Sequence, residues 1–269
     1  MPSWQQMPAA QYHKVDALAS GKMIAFANGG PSAMFSTRRE STAMSIGTAI
    51  HTALNEPHLL QDIRIIEGSG SRQALRSAAQ WGHVPDVVAL SVEQAELCRD
   101  AALSAAMAVA DVASEASDLW AEHVGLWVEC GLQQKCRPDW LLRLPAGLVS
   151  YDWKTSDDVS SRAWRRKSRN YRLDLQAAHY TAGILAVFHG VADAHTLTPQ
   201  ELGDLMPVWV FGQICTRAPH VVVFRKIGAE RMCRALMERR ALVEELARRV
   251  REGDWSDPRH GAYFDFDEE

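Results

Sequence analysis

The period of the apolar positions along this chain changes from helical to alternating and back. From Ala43 to Asn55, Met44, Ile50 and Leu54 recur at helical spacing with Pro57 just beyond as a stop, which predicts a helix. Gly68 to Ser71 reads as a loop. The stretch from Ser91 to Trp120 is rich in Ala, Glu and Leu, lacks Gly and Pro, and predicts one long helix or two in succession. Then Glu122, Val124, Leu126 and Val128 alternate with His123, Gly125, Trp127 and Glu129, the period-two pattern of a strand. A hairpin turn is expected at Gly131 and Leu132, a second strand over residues 133–144, a turn from Pro145 to Gly147, and a third strand over residues 148–155. Helices resume after Asp158, with an apolar face from Asp174 to His189; two more strands, Pro207 to Thr216 and His220 to Lys226, precede an amphipathic helix from Ala229 to Arg251.

These elements describe an α/β chain with a central mixed sheet flanked by helices. No repeat or heptad run interrupts it, so residues 1–269 are taken as one domain, with 1–42 an N-terminal extension and 262–269 an acidic tail. The net charge of −4 argues against a protein that coats nucleic acid over its whole surface, but leaves room for a local basic groove. Cys98, Cys130, Cys136, Cys215 and Cys233 contain no C-x-x-C pair, so neither a disulfide framework nor a zinc site is indicated, and Cys130 and Cys136 are expected in strands. Neither a secretory signal nor a membrane span is recognisable, which makes a cytoplasmic location the expectation.

The chemistry concentrates in CRPDW and YDWKT. Asp152 and Lys154 are two apart on a predicted strand and share a face, and Asp139 comes from the neighbouring strand. Two carboxylates can bind Mg²⁺ and leave positions for water and phosphate oxygens, and the lysine can orient or deprotonate the attacking water and offset phosphate charge. His51 lies one turn after Gly47 on the first predicted helix, and Gln176 and Tyr180 stand at i and i+4 on a later one. The run SRAWRRKSRNYR places Arg162, Arg165, Arg166, Lys167, Arg169 and Arg172 beside the expected cleft, suited to phosphates.

Taken in order, YHKVDALAS, GGPSAMF, IGTAIHTALNEP, the AE-to-W strand, KCRPDW, YDWKT and LQAAHYTAGI resemble the RecE-type (exonuclease VIII-like) branch of the PD-(D/E)XK nuclease superfamily, over roughly residues 11 to 185. The resemblance implies that Asp139 and Asp152 are metal ligands, Lys154 the catalytic lysine and His51 a metal-site histidine. It makes Gln176 and Tyr180 a helix motif lining the cleft. Glu122 aligns best as the acidic ligand of the first strand, with Glu115 and Glu129 as rivals. Asp152 stands where the superfamily's name has Glu. Only Cys215 and Cys233 lie far downstream, so the iron–sulfur cluster of some related nucleases is not expected.

The activity implied by the resemblance is that of a Mg²⁺-dependent exonuclease, with Mn²⁺ as a substitute, acting from double-stranded DNA ends in the 5′ to 3′ direction. The resemblance further implies a homo-oligomeric ring and a single-strand annealing partner, in phage or bacterial recombination. An endonuclease on the same fold stays open because a metal site does not encode end dependence. A non-cleaving DNA-binding scaffold is the third reading, weakened by the intact Asp139, Asp152 and Lys154 set.

Overall fold

In the computed structural model, the described residues are 2–36, 42–55, 63–65 and 88–257. Pro57, the expected loop at Gly68 to Ser71 and the tail at 262–269 lie outside them.

The chain begins with strand β1 (Ser3–Gln6), helix α1 (Ala9–Lys14) and helix α2 (Ser20–Met34). Helix α2 breaks at Gly30, whose φ of 67° only glycine adopts readily, and restarts at Pro31 with φ preset for a first turn. Helix α3 (Thr42–Asn55) follows, then short parallel strands β2 (Ile63–Ile65) and β3 (Val88–Leu90). Helix α4 (Val92–Ser114) opens with a reciprocal capping box between Ser91 and Gln94.

The main sheet has five strands in the order β10-β9-β8-β7-β4: β4 (Asp118–Ala121), β7 (Trp140–Leu144), β8 (Gly147–Ser156), β9 (Val208–Cys215) and β10 (Val222–Lys226). Only β8 and β9 run parallel, with Asp152 opposite Phe211 and Trp153 opposite Gly212; the other pairs are antiparallel. A smaller antiparallel sheet has the order β1-β5-β6, with β5 (His123–Glu129) and β6 (Leu132–Cys136). Helices α5 (Ser161–Asn170) and α6 (Leu173–His189) connect β8 towards β9, a short helix α7 (Pro199–Leu205) intervenes, and α8 (Ala229–Glu252) closes the chain.

Two apolar clusters cover opposite faces of the main sheet. On one face Leu141, Trp209 and Phe211 pack with Ala177, Ala178 and Tyr180 of α6 and Leu236 of α8. On the other, Trp140, Tyr151, Trp153 and Val210 pack with Ala49 and Ile50 of α3 and Ala101 and Ala105 of α4. Glycine at 212 is required by that packing, because a Cβ there would lie 2.3 Å from the Trp153 ring.

Four sequence expectations need correction. The helix expected to Trp120 ends at Ser114, and Asp118–Ala121 is instead an edge strand on β7, where cross-strand pairing of Trp120 with Leu141 overrides helix propensity. The hairpin turn is at Cys130 and Gly131, both at positive φ (52° and 79°), as a two-residue turn of the I′ kind requires. Cys130 is therefore an exposed turn residue, whereas Cys136 is the buried strand residue expected. The strand expected over 133–144 is two strands, β6 and β7, in different sheets: Pro138 has no N–H for a ladder, and the paired chain bends with it.

Candidate active site

That paired bend makes the site. β4 and β5 are consecutive and break at Glu122, which sits at φ 52°; β6 and β7 break at Arg137–Asp139. The Glu122 N–H donates to the Asp139 carbonyl at 2.9 Å, so the two breaks are held side by side where the hairpin passes from one sheet to the other. The hairpin register is the same on both sides of the break, Ala121 opposite Trp140 and Gly125 opposite Cys136, which sets Glu122 opposite Asp139, and cross-strand partners share a face. The bend keeps the two carboxylates side by side, and α3 adds His51 beside them.

One ligand atom each from His51, Glu122 and Asp139 lie within 4.8 Å of one another. His51 Nδ1 is 3.5 Å from Asp139 Oδ1, while Asp139 Oδ2 accepts the Trp153 N–H at 2.6 Å. Helix α3 approaches the sheet closely at Gly47, where a Cβ would stand 3.2 Å from Thr155 Oγ1. Asp152 stands outside that trio: its carboxylate is ion-paired with Lys154 and accepts from Gln176 Nε2 at 2.8 Å. Helices on opposite faces of the sheet thus contribute, α3 through His51 and α6 through Gln176.

Electrostatics follow from burying these charges together. Burial and the neighbouring Asp139 lift the Glu122 carboxyl to about 7, with Arg137, His51 and Asn55 pulling the other way. Burial likewise raises Asp152, to about 6, against the pull of Lys154. At His51 burial disfavours the charged ring, but the charge and hydrogen bond of Asp139 prevail and lift it to about 9. Burial opposes charge at Asp139 too, and there His51, Lys154 and the Trp153 N–H prevail and hold the carboxyl low. Lys154 loses to burial but gains more from Asp152 and Asp139, so it is held as an ammonium.

The remaining expected residues divide. Tyr180 is packed in the core beside Trp209, its ring centroid 5.9 Å away, and burial drives its phenol well above the ordinary range. Of the rival acids, Glu115 is exposed at the end of α4, and Glu129 is buried in a two-bond pair with Arg239 at 2.7 and 2.5 Å; neither joins the trio. Arg162, Arg165, Arg166 and Arg169 are exposed on α5 and form no salt bridge with a described residue. Lys167 differs, because it turns inward and donates to the Thr155 carbonyl, next to Lys154. Arg172 is held by Asp174 and Glu238.

Two side chains at the site lie inside the quoted motifs without being singled out there. Asn55 donates to Glu122 Oε1 at 2.7 Å, and Arg137 Nε lies 3.0 Å from Glu122 Oε2. Signals for both are nonetheless present: Asn55 is four residues after His51 on the same helix face, and Arg137 is two before Asp139.

No model of a known protein family matches the chain, and no curated protein matches it. Among solved structures, it is similar to the crystal structure of a protein from Eubacterium rectale named "Putative exonuclease", with a TM-score of 0.60 over 97% of this chain and 95% of that one at 12% identity. The two share a fold. The expected α/β core, a mixed sheet flanked by helices, is present. Among the described residues no helix is long and apolar enough to cross a membrane.

Proposed function

We propose that this chain is a metal-dependent deoxyribonuclease that hydrolyses phosphodiester bonds from the ends of duplex DNA. The observation that carries the reading is the meeting of His51, Glu122 and Asp139 beside the Asp152–Lys154 pair, from three separate parts of the chain. The name of the Eubacterium rectale neighbour agrees with it.

The donor set fits a divalent cation. One imidazole and two carboxylates within 4.8 Å of one another form a compact site of hard and borderline donors, suited to Mg²⁺ or Mn²⁺. His51, Glu122 and Asp139 would hold the ion, with Asp152 as a fourth candidate ligand. When bound, it supplies Lewis acidity that offsets charge on a phosphoryl oxygen. Lys154, held as an ammonium, donates to the attacking water or to a phosphate oxygen rather than taking a proton. Gln176 fixes the Asp152 carboxylate against that lysine. Exposed Arg162, Arg165, Arg166 and Arg169 grip the DNA backbone outside the cleft, as phosphate contacts that carry no sequence preference. The RecE-type resemblance adds 5′ to 3′ polarity, a homo-oligomeric ring and a single-strand annealing partner to this reading.

The test is the purified chain with Mg²⁺ and equal masses of linear and covalently closed circular duplex. Release of acid-soluble nucleotides from the linear DNA alone is the expected result. Nicking of the circle would make the protein an endonuclease, and binding without cleavage of either DNA would make it a scaffold.

A further inference from the structure

Both oxygens of Glu122 are held by side chains to which the hydrolytic mechanism gives no part. Asn55 Nδ2 donates to Oε1 at 2.7 Å. Arg137 Nε lies 3.0 Å from Oε2 and also donates to the Glu122 backbone carbonyl at 3.3 Å. All three residues are largely buried. The orientation of the Asn55 amide is dictated by chemistry, because turning it over would aim its carbonyl oxygen at a carboxylate oxygen. Its Oδ1, also buried, has no hydrogen-bond partner among the described residues.

Arg137 is braced in turn. Its guanidinium carbon lies 6.0 Å from the centre of the Tyr12 ring, and Lys135 Nζ lies 4.6 Å from the same ring. Lys135 also donates to the carbonyls of Tyr12 at 2.9 Å and Val15 at 2.8 Å, which ties α1 to β6. The N-terminal segment therefore reaches the site through Arg137.

We propose that Asn55 and Arg137 are positioning residues of the metal centre, which fix the rotamer of Glu122 and divide its two oxygens between them so that the carboxylate faces the cation shared with His51 and Asp139. The inference rests on the proposed metal centre. Two carboxylates buried side by side repel, and a glutamate has three rotatable bonds by which to swing away. A guanidinium on one oxygen and an amide on the other oppose that escape, and each oxygen keeps a lone pair for a cation. Partners of this kind commonly change metal affinity by about 10- to 100-fold.

The experiment is titration of the full chain with Mn²⁺, following free Mn²⁺ by electron paramagnetic resonance, with circular dichroism as the check on folding. Asn55→Ala and Arg137→Gln are expected to weaken Mn²⁺ binding by about tenfold or more, Arg137→Lys to restore part of the loss, and Asp139→Asn to abolish binding. Folded variants that bind within twofold of the wild type would overturn this proposal and leave the metal site standing. A wild-type chain that takes up no Mn²⁺ would overturn both. Asn55→Ala removes no charge, so it decides the matter even if Arg137→Gln does not fold.

Discussion

Asp152 and Lys154 share a face of β8, but their burial differs: the Asp152 side chain is 1% exposed and that of Lys154 19%. The carboxylate is thus the anchored partner and the ammonium the one that reaches the cleft. Lys154→Met and Asp152→Asn should each lower the cleavage rate by about 10²- to 10³-fold, the usual loss for one group that stabilises charge in a transition state, and rates within tenfold of wild type in folded variants would remove both from the mechanism. A second expectation concerns metal-free protein. Glu122 and Asp152 lie above the value of about 4 for unfolded carboxylates, so the folded chain keeps protons that the unfolded chain has lost. Their stabilising contribution is complete below pH 4 and is lost as pH rises through 6 and 7; His51, raised to about 9, acts the same way over a higher window. Asp139, held low, has the opposite sign and loses its contribution only in acid. In chelator, the melting temperature should therefore fall from pH 5 to pH 8, and less steeply in Glu122→Gln; parallel profiles would contradict the coupling. At this scale the sequence is informative where chemistry follows spacing, as for Asp152 and Lys154. It marks Arg137 only by its place two before Asp139, because the contact with Glu122 from 15 positions away is set by the hairpin register and the paired bend.

Helix α5 lies between β8 and α6 and, among the described residues, is joined to the site by the bond from Lys167 to the Thr155 carbonyl. The basic run is therefore two things: an exposed row, Arg162, Arg165, Arg166 and Arg169, and an inward lysine whose ammonium is disfavoured by burial and by Lys154. Neutralising Arg162, Arg165 and Arg166 together should flatten the salt dependence of DNA binding by up to about 0.9 in log–log slope for each phosphate no longer neutralised, with Mn²⁺ affinity unchanged. An unchanged slope would make the row a solvated face. Periodicity locates most elements, since amphipathic spacing is a local property that α8 obeys, while α6 is buried on every side from Ala177 to Ala186 and is located by its apolar length rather than by one face. It fails at β4 and at the β6–β7 break. Asp118–Ala121 is a strand because β7 lies beside it, which is not a local cause; the break has a local mark in Pro138, but that its two halves join different sheets is set by their partners.

On the scale of the molecule, the site is a junction. The smaller sheet supplies Arg137 at the end of β6, the main sheet supplies Asp152 and Lys154, and Glu122 and Asp139 occupy the hinge between them while α3 brings His51 from outside. A cation bound by residues from such separate parts cannot hold them in an unfolded chain, so its binding free energy adds to folding. Added Mg²⁺ or Mn²⁺ should raise the melting temperature with concentration. At 100 times the dissociation constant the gain is about 2.7 kcal/mol, which for a chain of this length corresponds to about 5 °C or slightly more. Asp139→Asn should abolish the shift, because it removes the carboxylate that touches His51 and braces the backbone of β8. Lys154→Met should keep it, since the lysine is no ligand, and that contrast separates a catalytic role from a metal-holding one. The measurement is thermal unfolding against metal concentration in the three proteins. A shift of equal size in wild type and Asp139→Asn would mean that the cation binds elsewhere, and the hinge would then be a structural bend with no metal to hold.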